Sequence, residues 1–293
     1  MTEITNEEIF QESILYNIRR LAEIIDVVQF HEGLPLFSHI DINPTELCNR
    51  KCEFCPRHDV NSYANQNLHI SLELIDRIAE ELRDLEFSGG IIICGHGEPL
   101  LHPNIVEVIS SFGSDQHTEI VTNGDRLSVD VVTKLYDAGL KQLLISMYDG
   151  PHQVDKMEQI MKDAGVNEHQ YVLRDRWHPV EEDYGLALTN RAGTVSKGNQ
   201  TTIDSTRPCH YTHYSMQIDW NGDVLVCVQD WNKHIRFGNV NTQSLFEIWK
   251  GQAMRRYSHY LEKGLRILNP CVNCNVNGTL HGSNHVKAWQ EIN

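Results

Sequence analysis

The chain reads as an α/β protein: a partial (β/α)6, TIM-like barrel followed by a small α+β domain. Short apolar runs alternate with helical patterns from about residue 38 to about residue 190, and alternation of β and α elements implies a parallel sheet. The pattern offers six such units, fewer than the eight a closed barrel needs. The rhythm then breaks over residues 191–208, which are rich in Gly, Thr, Ser and Asn, and a hairpin and a long helix follow.

Residues 1–37 read as an N-terminal helical segment, because Ile9, Ile14, Leu15, Ile18, Leu21, Ile24 and Ile25 recur at helical spacing. Residues 38–205 hold the barrel. Its candidate strands are Ser38–Asn43, Gly90–Cys94, Thr118–Thr122, Gln142–Met147, Gln170–Leu173 and Tyr184–Leu188. Between them, Leu74, Ile75, Ile78, Leu82 and Leu85 form one helical stripe with Ser71 as its N-cap. Val129–Ala138 forms another, with Ser128 before it and Gly139 after it as cap and C′ glycine. Residues 206–293 form the small domain. There Ser215–Trp220, the turn Asn221-Gly222 and Asp223–Val228 predict a β-hairpin. Thr242 or Ser244 caps a helix running from Leu245 towards about Tyr260.

The 293 residues are 40% hydrophobic and carry 40 acidic and 25 basic side chains, a formal charge of −15. That surface repels phosphate backbones and argues against nucleic acid as a partner. No apolar run reaches the roughly 18 residues of a membrane span. The N-terminus lacks a basic region followed by an apolar one, so a cytoplasmic protein is expected. Eight cysteines in a chain of this size and type point to metal rather than to a disulfide framework.

Cys48, Cys52 and Cys55 form a CxxxCxxC set at the end of the first candidate strand. A cubane iron–sulfur cluster takes four ligands, so three thiolates leave one iron open. An open iron can hold the amino and carboxylate groups of S-adenosylmethionine (SAM) and pass an electron to its sulfonium. The products are methionine and a 5′-deoxyadenosyl radical that takes a hydrogen atom from an unactivated C–H bond. Cys209, Cys227, Cys271 and Cys274 supply four thiolates, which close a site. Zinc is the alternative, either in a ribbon pairing Cys52-x-x-Cys55 with Cys271-x-x-Cys274 or on the second set alone. On that reading the chain is a non-catalytic zinc-binding protein.

The CxxxCxxC set, with Phe54 inside it, resembles the radical SAM superfamily. Cys94-Gly95-His96-Gly97-Glu98-Pro99 is similar to that superfamily's Gly-Gly-Glu-Pro element, with His96 set between the glycines. The resemblance implies SAM contacts from Gly95, Gly97, Glu98 and Pro99. It implies further contacts from Asn123, Ser146 and Arg174 at the ends of the third, fourth and fifth strands. The bland readings are a strand-end hydroxyl for Ser146 and a surface ion pair for Arg174.

The second cysteine set is similar to the C-terminal twitch domain, a short form of the SPASM domain. The surrounding Gly222-Asp223-Val224, Asp230-Trp231, Phe237-Gly238-Asn239-Val240 and Ile248-Trp249 match it too. The resemblance covers about residues 38–278. It implies SAM, a SAM-binding [4Fe–4S] cluster and one auxiliary [4Fe–4S] cluster. It further implies a flavodoxin- or ferredoxin-type electron donor and radical oxidation or rearrangement of a small polar metabolite, such as a sugar or aminocyclitol. Epimerases and peptide-modifying enzymes share the architecture. Cys94 is then either a packed strand residue or a hydrogen-atom donor to a substrate radical. Tyr148, Asp149, Arg176, His178, Arg191 and Asp230 are candidate substrate contacts.

Overall fold

The computed structural model describes residues 24–198 and 202–292. Of the predicted N-terminal helical positions, Ile9, Ile14, Leu15, Ile18 and Leu21 lie outside these residues. Ile25 lies within them, buried against Tyr214.

One mixed sheet organises the described residues. Its strands are β1 (His39–Ile42), β2 (Gly90–Ile93), β3 (His117–Thr122), β4 (Gln142–Met147), β5 (Tyr171–Asp175), β6 (Ser215–Ile218), β7 (Asp223–Leu225) and β8 (Arg236–Asn239). They lie in the order β8-β7-β6-β1-β2-β3-β4-β5. Strands β1 to β6 pair in parallel, and β7 and β8 add antiparallel.

Helices α1 (Leu72–Asp84), α2 (Ile105–Phe112), α3 (Val129–Asp137) and α4 (His152–Asp163) connect β1 to β5. Ser71 and Ser128 cap α1 and α3 as predicted, accepting from the Leu74 and Val131 amides. Side chains alternate along each strand. Ile40, Ile42, Ile91, Ile93, Leu143 and Ile145 face the helices and are buried with Ile75, Ile78, Val108 and Leu135. The opposite faces carry His39, Asp41, Ile92, Cys94, Ser146 and Arg174 into a cavity.

The predicted sixth strand at Tyr184–Leu188 is not one. Val180–Gly185 is a 3₁₀ turn in which Asp183 and Tyr184 both take left-handed φ values of 50° and 56°, which no strand accommodates. Arg176 donates to the Gly185 carbonyl and Tyr184 to Glu53, fixing the turn. The sixth parallel strand is β6, which pairs with β1 on one side and with β7 of the hairpin on the other. The sheet therefore runs unbroken across residue 205. The predicted long helix is two, α5 (Leu245–Lys250) and α6 (Gln252–Glu262). Extended Gly251 (ψ 142°) separates them, and Ser244 with Glu247 makes a capping box. A last helix, α7 (Ser283–Ile292), packs Trp289 into the core.

Candidate functional site

A cavity of about 440 Å³ opens at the C-terminal ends of the parallel strands. Cys48, Cys52 and Cys55 line it from the loop after β1. Their thiols stand close enough to repel one another as thiolates. Burial first, then the charges of Cys55 and Cys48, push Cys52 up to about 12. None of the eight cysteines is in a disulfide. Three unbridged thiols in one wall, each disfavoured as a bare anion, are a donor set that fits an iron–sulfur cluster.

The Gly-x-Gly-Glu-Pro loop lines the same cavity and packs against the segment that leads into Cys48, the Glu98 amide donating to the Leu47 carbonyl at 2.7 Å. Gly97 is packed so closely that a Cβ would lie 2.1 Å from the Thr45 carbonyl oxygen. Glu98 is 3% exposed. Its carboxylate accepts from the Thr122 hydroxyl (2.6 Å) and from the Asn123 and Leu100 amides (2.8 and 3.1 Å). Burial raises its carboxyl above the usual range against the pull of these donors. Glu98 thus sews the loop to the end of β3, and Pro99 starts the turn that follows. Asn123 reaches back to Asn49 within the cysteine loop at 2.9 Å.

Ser146 and Arg174, predicted independently, are in contact: the guanidinium donates to the hydroxyl at 2.8 Å across β4 and β5. Both line the cavity, as do Gly95, Gly97, Asn123, Cys94 and the candidates Tyr148, Arg176 and Arg191. The other candidates are engaged elsewhere. Asp149 is held by Arg50, which also grips Asp125. His178 pairs with Asp175 and Glu182, and Asp230 accepts from the His234 and Ile235 amides. Sequence reasoning missed His39 and Asp41. The signal was there: polar residues alternate with Ile40 and Ile42 in a parallel strand that would ordinarily be apolar throughout.

Cys209, Cys227, Cys271 and Cys274 line a second, tight cavity. Burial and then the charges of the other three raise the Cys227 thiol. Tyr257 donates to the Cys271 sulfur at 3.3 Å. A Cβ at Gly278 would lie 2.4 Å from the Cys209 sulfur, so the backbone is drawn tightly round the set. This four-thiol donor set fits a cluster closed by protein ligands. Tyr211 lines both this cavity and the larger one.

Fold and site define a barrel enzyme with one open and one closed cysteine centre. The family model of the radical SAM superfamily matches residues 42–170, and that of the SPASM iron–sulfur cluster-binding domain matches residues 209–275. The chain is 27% identical over 245 residues to the S-adenosyl-L-methionine-dependent 2-deoxy-scyllo-inosamine dehydrogenase of Niallia circulans, covering 82% of this chain and 93% of that one. It is 27% identical over 165 residues to GTP 3′,8-cyclase of Nostoc sp., covering 53% of this chain and 44% of the relative. The crystal structure of BtrN in complex with AdoMet and 2-DOIA superposes with a TM-score of 0.70 at 24% identity, covering 85% of this chain and 98% of that one; this likeness is one of fold.

The chain belongs to the radical SAM superfamily and carries a SPASM/twitch domain. It is a radical SAM enzyme, and SAM and [4Fe–4S] clusters, one of them auxiliary, are its cofactors. Among the described residues no helix is long and apolar enough to cross a membrane.

Proposed function

We propose that this chain oxidises a secondary alcohol of a small polyhydroxylated ring, an aminocyclitol or sugar, to a ketone. The observation that carries the reading is Tyr211, which forms part of the wall between the polar reaction cavity and the four-cysteine cradle. A substrate radical formed in the first lies one side chain from an electron acceptor in the second. The dehydrogenase relative supplies the substrate class. A cavity of about 440 Å³ suits a small ligand.

In this reading residues 38–205 are the SAM-cleaving half and residues 206–293 the auxiliary-cluster half. Cys48, Cys52 and Cys55 hold the first cluster; Cys209, Cys227, Cys271 and Cys274 hold the second. Bound SAM supplies the 5′-deoxyadenosyl radical that removes hydrogen from carbon. Gly95 and Gly97 bring backbone close to it, and Pro99 holds the loop's exit. Glu98 spends three of about four acceptor positions on the fold, leaving one for an ammonium. Asn123, Ser146 and Arg174 complete its polar wall. Cysteines outside disulfides suit a reducing, cytoplasmic compartment, where a flavodoxin or ferredoxin would supply electrons.

Cys94 favours a second reading, epimerisation. Its thiol lines the cavity and lies 3.4 Å from Asp41 Oδ1, placed to return a hydrogen atom to a substrate radical.

The test is anaerobic reconstitution with iron and sulfide analysis, then incubation with SAM, dithionite and 2-deoxy-scyllo-inosamine. Oxidation predicts 5′-deoxyadenosine and ketone in equal amounts. It also predicts about eight irons per chain, falling to about four when Cys48, Cys52 and Cys55 are all Ala. Recovered alcohol carrying solvent deuterium at the reacting carbon would select epimerisation. Zinc without SAM cleavage would overturn both.

A further inference from the structure

An alcohol becomes a ketone by losing more than a hydrogen atom. After the C–H hydrogen has gone, the hydroxyl must give up a proton and the carbon an electron before the second C–O bond can form. A group in the wall of the reaction cavity would take that proton, and its arginines, phenols and Glu98 are poorly suited. Arginines stay protonated. Burial holds the phenols of Tyr148, Tyr211 and Tyr214 well above their usual range, so none is a phenolate at neutral pH. The Glu98 carboxylate is committed to three donors of its own chain.

Asp41 differs from all of these. It stands on β1 at 7% exposure with its side chain in the cavity wall. Its Oδ1 takes both of the hydrogen bonds found for this carboxylate, from His39 Nε2 at 3.1 Å and from the Cys94 thiol at 3.4 Å. Among the described residues nothing donates to Oδ2. The strand holds the group rigidly, with Asp41 in register between Ile92 of β2 and Gln217 of β6. A carboxylate anchored through one oxygen and open at the other, on a strand rather than a loop, is built to receive a proton at a fixed place.

We propose that Asp41 accepts the substrate's hydroxyl proton and that His39 positions it. This rests on the alcohol-oxidation reading above. The carbon-bound hydrogen leaves as an atom to the 5′-deoxyadenosyl radical. The O–H bond then breaks, its proton going to Asp41 Oδ2 and its electron pair staying on oxygen. One electron leaves for the auxiliary [4Fe–4S] cluster, and carbon and oxygen are left double-bonded. The acceptor side is close by: His39, which holds Asp41, meets the Tyr214 ring edge-on at 6.5 Å, and Tyr214 lies 5.6 Å from Tyr211, which lines the four-cysteine cradle. Proton and electron thus leave towards the same end of the cavity.

The experiment uses reconstituted wild type, Asp41→Asn and His39→Gln with SAM, dithionite and 2-deoxy-scyllo-inosamine deuterated at the reacting carbon. Deuterated 5′-deoxyadenosine reports hydrogen abstraction, and ketone reports completion. In Asp41→Asn the ratio of ketone to deuterated 5′-deoxyadenosine should fall about 100-fold, and in His39→Gln by less. Calorimetry of the same aminocyclitol with cluster-free protein should show Asp41→Asn weakening binding less than about tenfold, about 1.4 kcal/mol. A wild-type ratio in Asp41→Asn would overturn the assignment, as would a loss of binding that matches the loss of ketone. If wild type itself yields no ketone, the oxidation reading falls and takes this role with it.

Discussion

Lys233 donates to Glu46 across 2.6 Å and so ties the segment after Cys227 to the loop that enters the first cysteine set. The same ammonium lies 2.5 Å from Asp219 at the end of β6. Arg57 and Tyr63 also donate to Glu46. Burial alone would raise the Glu46 carboxyl, but the Lys233 charge and hydrogen bond, with help from His96 and Tyr63, bring it below the usual range. Glu46, His96 and Asp219 have the spacing of metal ligands, yet the cation among them is already supplied by the chain. Lys233→Met leaves two buried carboxylates without it. The expected loss is about 3–5 kcal/mol in chemical denaturation. Adding Glu46→Gln should recover part of that loss, and no recovery would mean that the ion pair is not its source.

Gly97 carries a second prediction. A methyl group there would meet the Thr45 oxygen at 2.1 Å and the Leu47 oxygen at 2.6 Å, both main-chain atoms that cannot swing aside. Gly97→Ala must push the motif loop away from the loop that carries Cys48. SAM binding measured by equilibrium dialysis should weaken at least about tenfold, about 1.4 kcal/mol, while circular dichroism stays close to wild type. Unchanged affinity would show that this approach does not shape the SAM site.

The sequence exposed the chemistry more fully than the topology. The cysteine spacings and the Gly-x-Gly-Glu-Pro element are local in the chain, so each could be read without knowing the fold. The resemblance placed Ser146 and Arg174 each at a strand end, and their contact across β4 and β5 emerged only with the fold. Strand β6 was read as half of a local hairpin because its turn, Asn221-Gly222, is a local signal. Its parallel pairing with β1 joins residues far apart in sequence and leaves no such mark. Tyr184–Leu188 has a strand-like composition, but Gly185 and two left-handed residues fold it into a turn through bonds to Arg176 and Glu53. Asp41 left a mark in its alternation with Ile40 and Ile42, but its role depends on which face of β1 looks into the cavity.

Buried histidines set a pH dependence. Burial lowers His96 and His285 to about 4 each. Burial and the neighbouring Arg255 lower His213 to about 3, against the pull of Glu262. All three would titrate at their ordinary value near 6.5 in the unfolded chain. Between these values the unfolded chain holds more protons than the fold, so stability must fall as pH drops from about 6.5 towards 4. Denaturation midpoints of cluster-free protein at pH 7, 5.5 and 4.5 should decline in that order. Replacing His285 by Gln should flatten part of the decline, and an unchanged slope would remove His285 from the account.

Gly278 tests the second cradle without touching a cysteine. It bridges Cys209 in a parallel β-bridge, and its carbonyl accepts from the His210 amide at 2.8 Å. A Cβ there would sit 2.4 Å from the Cys209 sulfur and 2.7 Å from its Cα. The side chain cannot give way alone, because the clash includes backbone. Gly278→Ala should therefore displace Cys209 from the other three thiols and leave about four irons per chain instead of about eight. The first cysteine set, on the loop after β1, should still cleave SAM with dithionite, so 5′-deoxyadenosine would form while ketone does not. That split would assign the second oxidation step to the auxiliary cluster. Eight irons and a normal ketone yield would show that the backbone at residue 278 can yield and that the cradle is looser than its geometry implies.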